Sequence, residues 1–152
     1  MDLLFSTIQD GLFAAIASIG FGSISNAPWK TLKHCGWIAA VGHATRFLLM
    51  SLGLHIIFAV FAGAILIGYF SRTVSQRTGI LFESIAFVSL LPMIPGMYAY
   101  RTMQSFISFI QSAGYAENAA SIQMMSYNAL MTLAIILMMA IGVMLVPKKR
   151  SL

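Results

Sequence analysis

Acidic side chains are nearly absent from this chain. Of its 152 residues only 4 are Asp or Glu, charged residues of both signs make up 9%, and there is one cysteine. So little charge excludes a soluble domain, which needs polar surface to cover its core. A single cysteine, Cys35, excludes an internal disulfide and a thiol-rich metal site, and its ordinary role is that of a small helix-packing residue. Asp10 has no second membrane aspartate to pair with, and neither HExxH nor GxSxG occurs. No enzymatic activity, cofactor or metal is therefore expected. The N-terminal MDLLFSTIQD lacks a basic stretch and carries Asp2, which argues against a cleaved signal peptide.

What fills the chain is apolar: 59% hydrophobic residues and a mean hydropathy of +0.88. This is the composition of an all-α integral membrane protein, read as a single transmembrane domain over residues 1–152. The net charge of +5 would suit a nucleic-acid partner, but the basic residues sit at the ends of apolar spans and none is expected.

Five spans are expected. They run from Leu3 to about Ser25, from Cys35 to about Leu52, from His55 to Phe70, from Ile80 to Tyr100 and from Ala119 to Val146. The third, at about 16 residues, is at the lower limit for a ~30 Å hydrocarbon core. Arg101 to Asn118 reads as an interfacial or re-entrant helix carrying Phe106, Ile107, Phe109 and Ile110. With the N-terminus outside, Lys30, Lys33, Arg72, Arg77, Lys148, Lys149 and Arg150 face the cytoplasm, which is seven of the nine basic residues. Only Arg101 falls outside, and Arg46 lies within a span.

The fourth span is interrupted by LLPMIPGMYAY, Leu90 to Tyr100. Pro92 and Pro95 remove backbone donors and Gly96 permits a sharp turn. In lipid, freed backbone groups are tolerated only where protein buries them or water reaches them, as in the broken helices of transporters. A helix opening at Gly96 would offer amide donors and a partial positive charge to a carboxylate. The plainer alternative is a proline kink that shapes packing.

Few ionisable or amide groups share that depth. Asp10 and Arg46 each lie roughly seven residues from the outer end of a span, about 10 Å deep at ~1.5 Å per residue, where they could pair. His43 is one helical turn from Arg46 and shares its face. Its plain reading is a neutral imidazole bonded to a neighbouring backbone group or hydroxyl, and that of Asp10 and Arg46 a structural ion pair or snorkelling. Asn128 reaches similar depth from the fifth span, where its ordinary role is to join helices. Small residues at helical spacing, Ala59 with Gly63 and Ala64 with Gly68, allow close packing of the third span.

Gly42-His43 followed by Arg46, then Pro92-Met93-Ile94-Pro95-Gly96 with Tyr100, resembles the small (YjjB-type) subunit of the two-component threonine/serine exporter family. Gln9-Asp10, Asn26, Pro28, Gly114-Tyr115, Glu117 and Asn128 extend the resemblance over nearly the whole chain. Tyr98 and Arg101 depart from it, standing where smaller residues are expected. The resemblance implies an inner-membrane exporter of succinate and related dicarboxylates, or of threonine and serine. It also implies a larger partner subunit of the same family, and a higher oligomer is compatible with it. Within that frame His43, Arg46, Pro92, Pro95, Gly96, Tyr100 and Asn128 are the expected substrate-contacting set, and Asp10 and His43 suit ion or proton coupling. The alternative is a non-transporting accessory or assembly subunit of a membrane complex.

Overall fold

The computed structural model describes residues 2–25, 27–111 and 114–146, with the side chains of Asp2, Tyr115 and Ala116 outside the description. Asn26 and the basic tail from Pro147 to Arg150 lie outside the described residues. The described chain is helical: α1 (Asp2–Ile24), α2 (Trp29–Ser51), α3 (Ile56–Thr78), α4 (Phe82–Leu90), a 3-10 turn (Leu91–Met93), α5 (Gly96–Gln111) and α6 (Tyr115–Met144). The all-α polytopic expectation is met. Among the described residues three helices are long and apolar enough to cross a membrane, within Leu3–Ile24, Ile56–Thr78 and Glu117–Met144. The broken pair Phe82–Met93 and Gly96–Gln111 makes a fourth if it counts as one span.

The expected second span behaves differently from the others. α2 has the same 23 residues as α1, but Lys30, Lys33, His34, His43 and Arg46 make it too polar to count by composition. The third span is not short. Its helix continues past Phe70 to Thr78, because Thr73 and Thr78 satisfy their hydroxyls on the carbonyls of Tyr69 and Val74 and nothing breaks the ladder before Gly79. Gly79 stops it in the left-handed conformation, φ 71°. At 23 residues and ~1.5 Å per residue α3 is about 34 Å long, enough to cross. Arg72 and Arg77 consequently lie in the helix instead of a loop. The Arg72 guanidinium stacks 3.9 Å over the Phe82 ring, and its Nη2 donates to the Val146 carbonyl at 3.4 Å. Tyr100 and Arg101, expected on either side of a span boundary, are consecutive residues inside α5.

The chain forms two compact units, one of residues 1–93 with the chain from Met138 onward, the other of Ile94–Leu137. In the first, α1 lies along α2, α2 along α3, and α4 packs against all three. Small residues set the spacing. A Cβ on Gly63 would stand 2.7 Å from the Gly42 carbonyl and 3.0 Å from Met93 Cε, and one on Gly11 would stand 3.1 Å from the Ala40 carbonyl. Gly68 meets the Val143 backbone, and Gly142 meets Ala64 and the Phe61 carbonyl, so the end of α6 seats on α3 by the same device. The core of this unit holds Cys35, Ile38, Ala59, Val60, Ala64, Ile67, Ile85 and Met93, each essentially without exposure. The second unit consists of α5, which has no buried residue, and α6 up to Leu137, with Ile135 and Asn128 buried.

Candidate functional site

The proline at 92 cannot donate to the carbonyl four residues before it, that of Val88. Ser18, fully buried on α1, fills the gap: its hydroxyl donates to Val88 O at 3.1 Å. The carbonyl of Pro92 is freed as well, since the amide of Gly96 turns instead to Ile94 O at 2.8 Å. His43 takes that place, its Nε2 standing 3.2 Å from Pro92 O. The break in the apolar helix is thus satisfied by two polar side chains from α1 and α2, as an interruption in a dry setting requires.

His43 continues the chain of contacts. Its Nδ1 lies 2.5 Å from Asp10 Oδ2, and the imidazole is 8% exposed. A carbonyl only accepts, so Nε2 carries hydrogen. The Asp10 contact then holds one proton, either on the carboxyl donating to Nδ1 or on an imidazolium donating to the carboxylate. Among the described residues this is the ion pair Asp10 makes, so the expected direct pairing with Arg46 gives way to His43. Arg46 lies one turn further along α2. Its Nε is buried without a hydrogen-bond partner among the described residues.

A small-residue and polar stripe on α1 explains the arrangement. Asp10, Ala14, Ser18 and Gly22 recur every fourth residue on one face. Ala14, Ser18 and Gly22 are buried. Ser18 was missed in the sequence reading, although its spacing of eight from Asp10 was a usable signal. Ser89 is a second omission; it is fully buried and donates to its own helix at Ile85 O, 2.8 Å, and to Cys35 O, 3.3 Å.

The remaining expected residues lie in the second unit. Pro95 is buried, Gly96 exposed and Tyr100 62% exposed. The expected free amides at the opening of α5 are partly consumed, since Gly96 N bonds Ile94 O and Tyr98 N bonds Pro95 O. Asn128 is 7% exposed, and its amide donates to Met124 O of its own helix at 2.7 Å. It lines a polar cavity of about 530 Å³ with Arg101, Gln104, Ser105 and Ser121. Asp10, His43 and Pro92 are therefore brought together, with Arg46 next to them, while Asn128 belongs to a separate polar group around Arg101.

The chain is 36% identical over 114 residues to a protein of Haemophilus influenzae, an alignment that takes in 75% of this chain and 38% of that protein. It thus spans under two fifths of the length of this curated relative. No solved structure matches it. The model of the family described as "Threonine/Serine exporter, ThrE" matches residues 10–148, a stretch that begins at Asp10 and contains the whole His43 contact chain. A polytopic helical protein with a satisfied helix break and a part-buried acid–imidazole pair, matched over nearly its full length, belongs to the threonine/serine exporter family, ThrE.

Proposed function

We propose that this chain is the membrane subunit of a secondary exporter that moves small carboxylate-bearing metabolites, succinate-like dicarboxylates or threonine and serine, together with a larger partner subunit. The observation that carries the reading is the part-buried chain Asp10–His43–Pro92 carbonyl, one turn of α2 from an arginine whose Nε has no partner among the described residues. Arg46 supplies the counter-charge for a substrate carboxylate. The Asp10–His43 pair supplies the coupling proton. When that proton leaves, Asp10 and the Nδ1 lone pair are acceptor against acceptor, the contact breaks, and the freed carboxylate is available to Arg46 in competition with substrate. Protonation restores the pair and returns Arg46 to substrate.

In this reading all five helical spans, α2 included, form one transmembrane domain in the cytoplasmic membrane with the N-terminus outside. Lys30 and Lys33 open α2, and Arg72 and Arg77 close α3, which agrees with a cytoplasmic end for both. The partner is supported by the relative, most of whose length lies beyond the match. Pro95, Gly96, Tyr100 and Asn128 are kept in this proposal as further substrate-contacting residues.

The test is efflux of labelled succinate, threonine and serine from cells with and without this chain and its genomic neighbour. Loss of efflux on deleting this chain, restored by the wild type and not by Arg46→Leu, supports the proposal. Full-rate transport by the partner alone makes this chain an accessory subunit and rejects it.

A further inference from the structure

We propose that the cavity between the α1–α2 turn and the α3–α4 turn binds an anionic phosphate, a phosphomonoester or phosphodiester without a compensating ammonium group. The site lies away from the exporter residues: Thr31 precedes His43 by twelve positions on α2, about 18 Å at ~1.5 Å per residue. The cavity measures about 690 Å³ and belongs wholly to the first unit.

Four observations converge there. Lys30, Lys33 and His34 occupy one face of α2 at the cavity wall, and among the described residues neither lysine pairs with a carboxylate. Glu83, the one acid of α4, is not part of the lining. The N-terminus of α2 opens after Pro28 with no side-chain cap and no acid in its first turn, so the positive end of the helix is uncompensated. Thr31 is the independent sign of a ligand. It is 2% exposed and lines the cavity, yet among the described residues its hydroxyl has no hydrogen-bond partner. Thr45, Thr73, Thr78, Thr102 and Thr132 all donate to the carbonyl four residues back. Thr31 stands in the first turn of α2, where the carbonyl four residues back, that of Ala27, lies outside the helix, so its hydroxyl lacks that acceptor.

Two lysines, a hydroxyl and a helix N-terminus are the donor set that phosphate oxygens take. The other walls are apolar, with Ile80, Leu81, Phe87 and Val88 beneath the cations. That combination suits the headgroup of an anionic phospholipid with its chains against α4, and basic pockets at the cytoplasmic ends of membrane helices take such headgroups. A soluble phosphate ester is the other source of the same chemistry.

Native mass spectrometry of the detergent-solubilised full chain, offered dioleoyl phosphatidylglycerol or dioleoyl phosphatidylcholine, separates the outcomes, with thermal shifts for glycerol 3-phosphate in parallel. Phosphatidylglycerol retained in preference to phosphatidylcholine, reduced at least about tenfold in Lys30→Gln/Lys33→Gln by loss of two charge-assisted contacts, identifies a lipid site. Thr31→Val should weaken it and Thr31→Ser retain it. Stabilisation by glycerol 3-phosphate, lost in the same variants, identifies a soluble phosphate and also supports the proposal. Arg77→Gln removes an exposed charge at the same end but outside the cavity and should change nothing. Equal retention of both lipids with no effect of glycerol 3-phosphate, or an equal loss in Arg77→Gln, overturns it. So does a response of the cavity variants to succinate alone, which would make the cavity part of the transport path.

Discussion

The Ser18 hydroxyl donates to the Val88 carbonyl across 3.1 Å, and Val88 is the residue that Pro92 leaves without a helical partner. The two facts explain each other. A proline in an apolar helix is tolerable here because α1 delivers a donor to the orphaned acceptor. Ser18→Ala should then cost about 1–3 kcal/mol, the price of a buried unsatisfied carbonyl. In a Pro92→Ala background the restored amide can serve Val88, and the effect of Ser18→Ala should shrink. Thermal unfolding of the four proteins of this cycle in detergent measures the coupling; independent, additive effects would contradict the account.

Gly63 and Gly42 face each other where α2 crosses α3, but they are not equivalent. A methyl group at 63 meets the Gly42 backbone carbonyl at 2.7 Å, whereas one at 42 meets Cγ1 and Cδ1 of the Ile67 side chain at 2.4 and 2.5 Å, which can change rotamer, and the Gly63 carbonyl only at 3.3 Å. Gly63→Ala should therefore destabilise by about 1–3 kcal/mol through overpacking, with Gly42→Ala the milder of the two. Melting temperature and the monodisperse fraction on size exclusion rank them. The reverse order would mean that the crossing relaxes at α2.

Asp10 and His43 act as one unit in the proposed cycle. Asp10→Asn and His43→Gln should each lower efflux at least about tenfold, and the double variant should fall little further, as expected of groups sharing one proton. Initial efflux rates at matched expression decide it. If the double variant multiplied the single losses, the residues would be working separately.

Arg46 should tolerate lysine without loss only if charge alone matters. A planar fork binding a carboxylate loses most of its geometry in Arg46→Lys, so efflux should drop about tenfold or more in that variant and be lost in Arg46→Leu. The apparent substrate affinity should change more than assembly with the partner, as read by co-purification.

Cys35 offers an unfolding probe at no cost to the fold. The thiol is fully buried, with Sγ 3.7 Å from the Ile85 carbonyl. A membrane-permeant maleimide should leave the native protein unmodified over hours and label it within minutes in denaturing detergent. Rapid native labelling, followed by mass spectrometry, would show that α4 separates from α2.

The break at Pro92 to Gly96 and the polar residues Asp10, His43 and Asn128 could be read from residue types alone, because prolines and polar groups stand out against an apolar chain. Which groups meet could not. Asp10 was expected beside Arg46 on a depth argument that ignores rotation about the helix axis, and the structure instead turns His43 onto the Asp10 carboxyl. The length of α3 was misjudged for a related reason: Ser71, Arg72 and Thr73 read as polar loop, yet their backbone stays helical while Thr73 donates to Tyr69 O and Arg72 reaches the Val146 carbonyl and the Phe82 ring.

What the linear chain determines here is its solvent and its weak points. An apolar fraction this large with so few acids commits it to helices in lipid, since each helix satisfies its own backbone, and two prolines dictate where that satisfaction fails. Who repairs the failure is a tertiary matter. Ser18 and His43 reach Val88 and Pro92 only because Gly11, Gly42 and Gly63 let α1, α2 and α3 approach closely, and such contacts depend on helix rotation and crossing, which no single segment encodes.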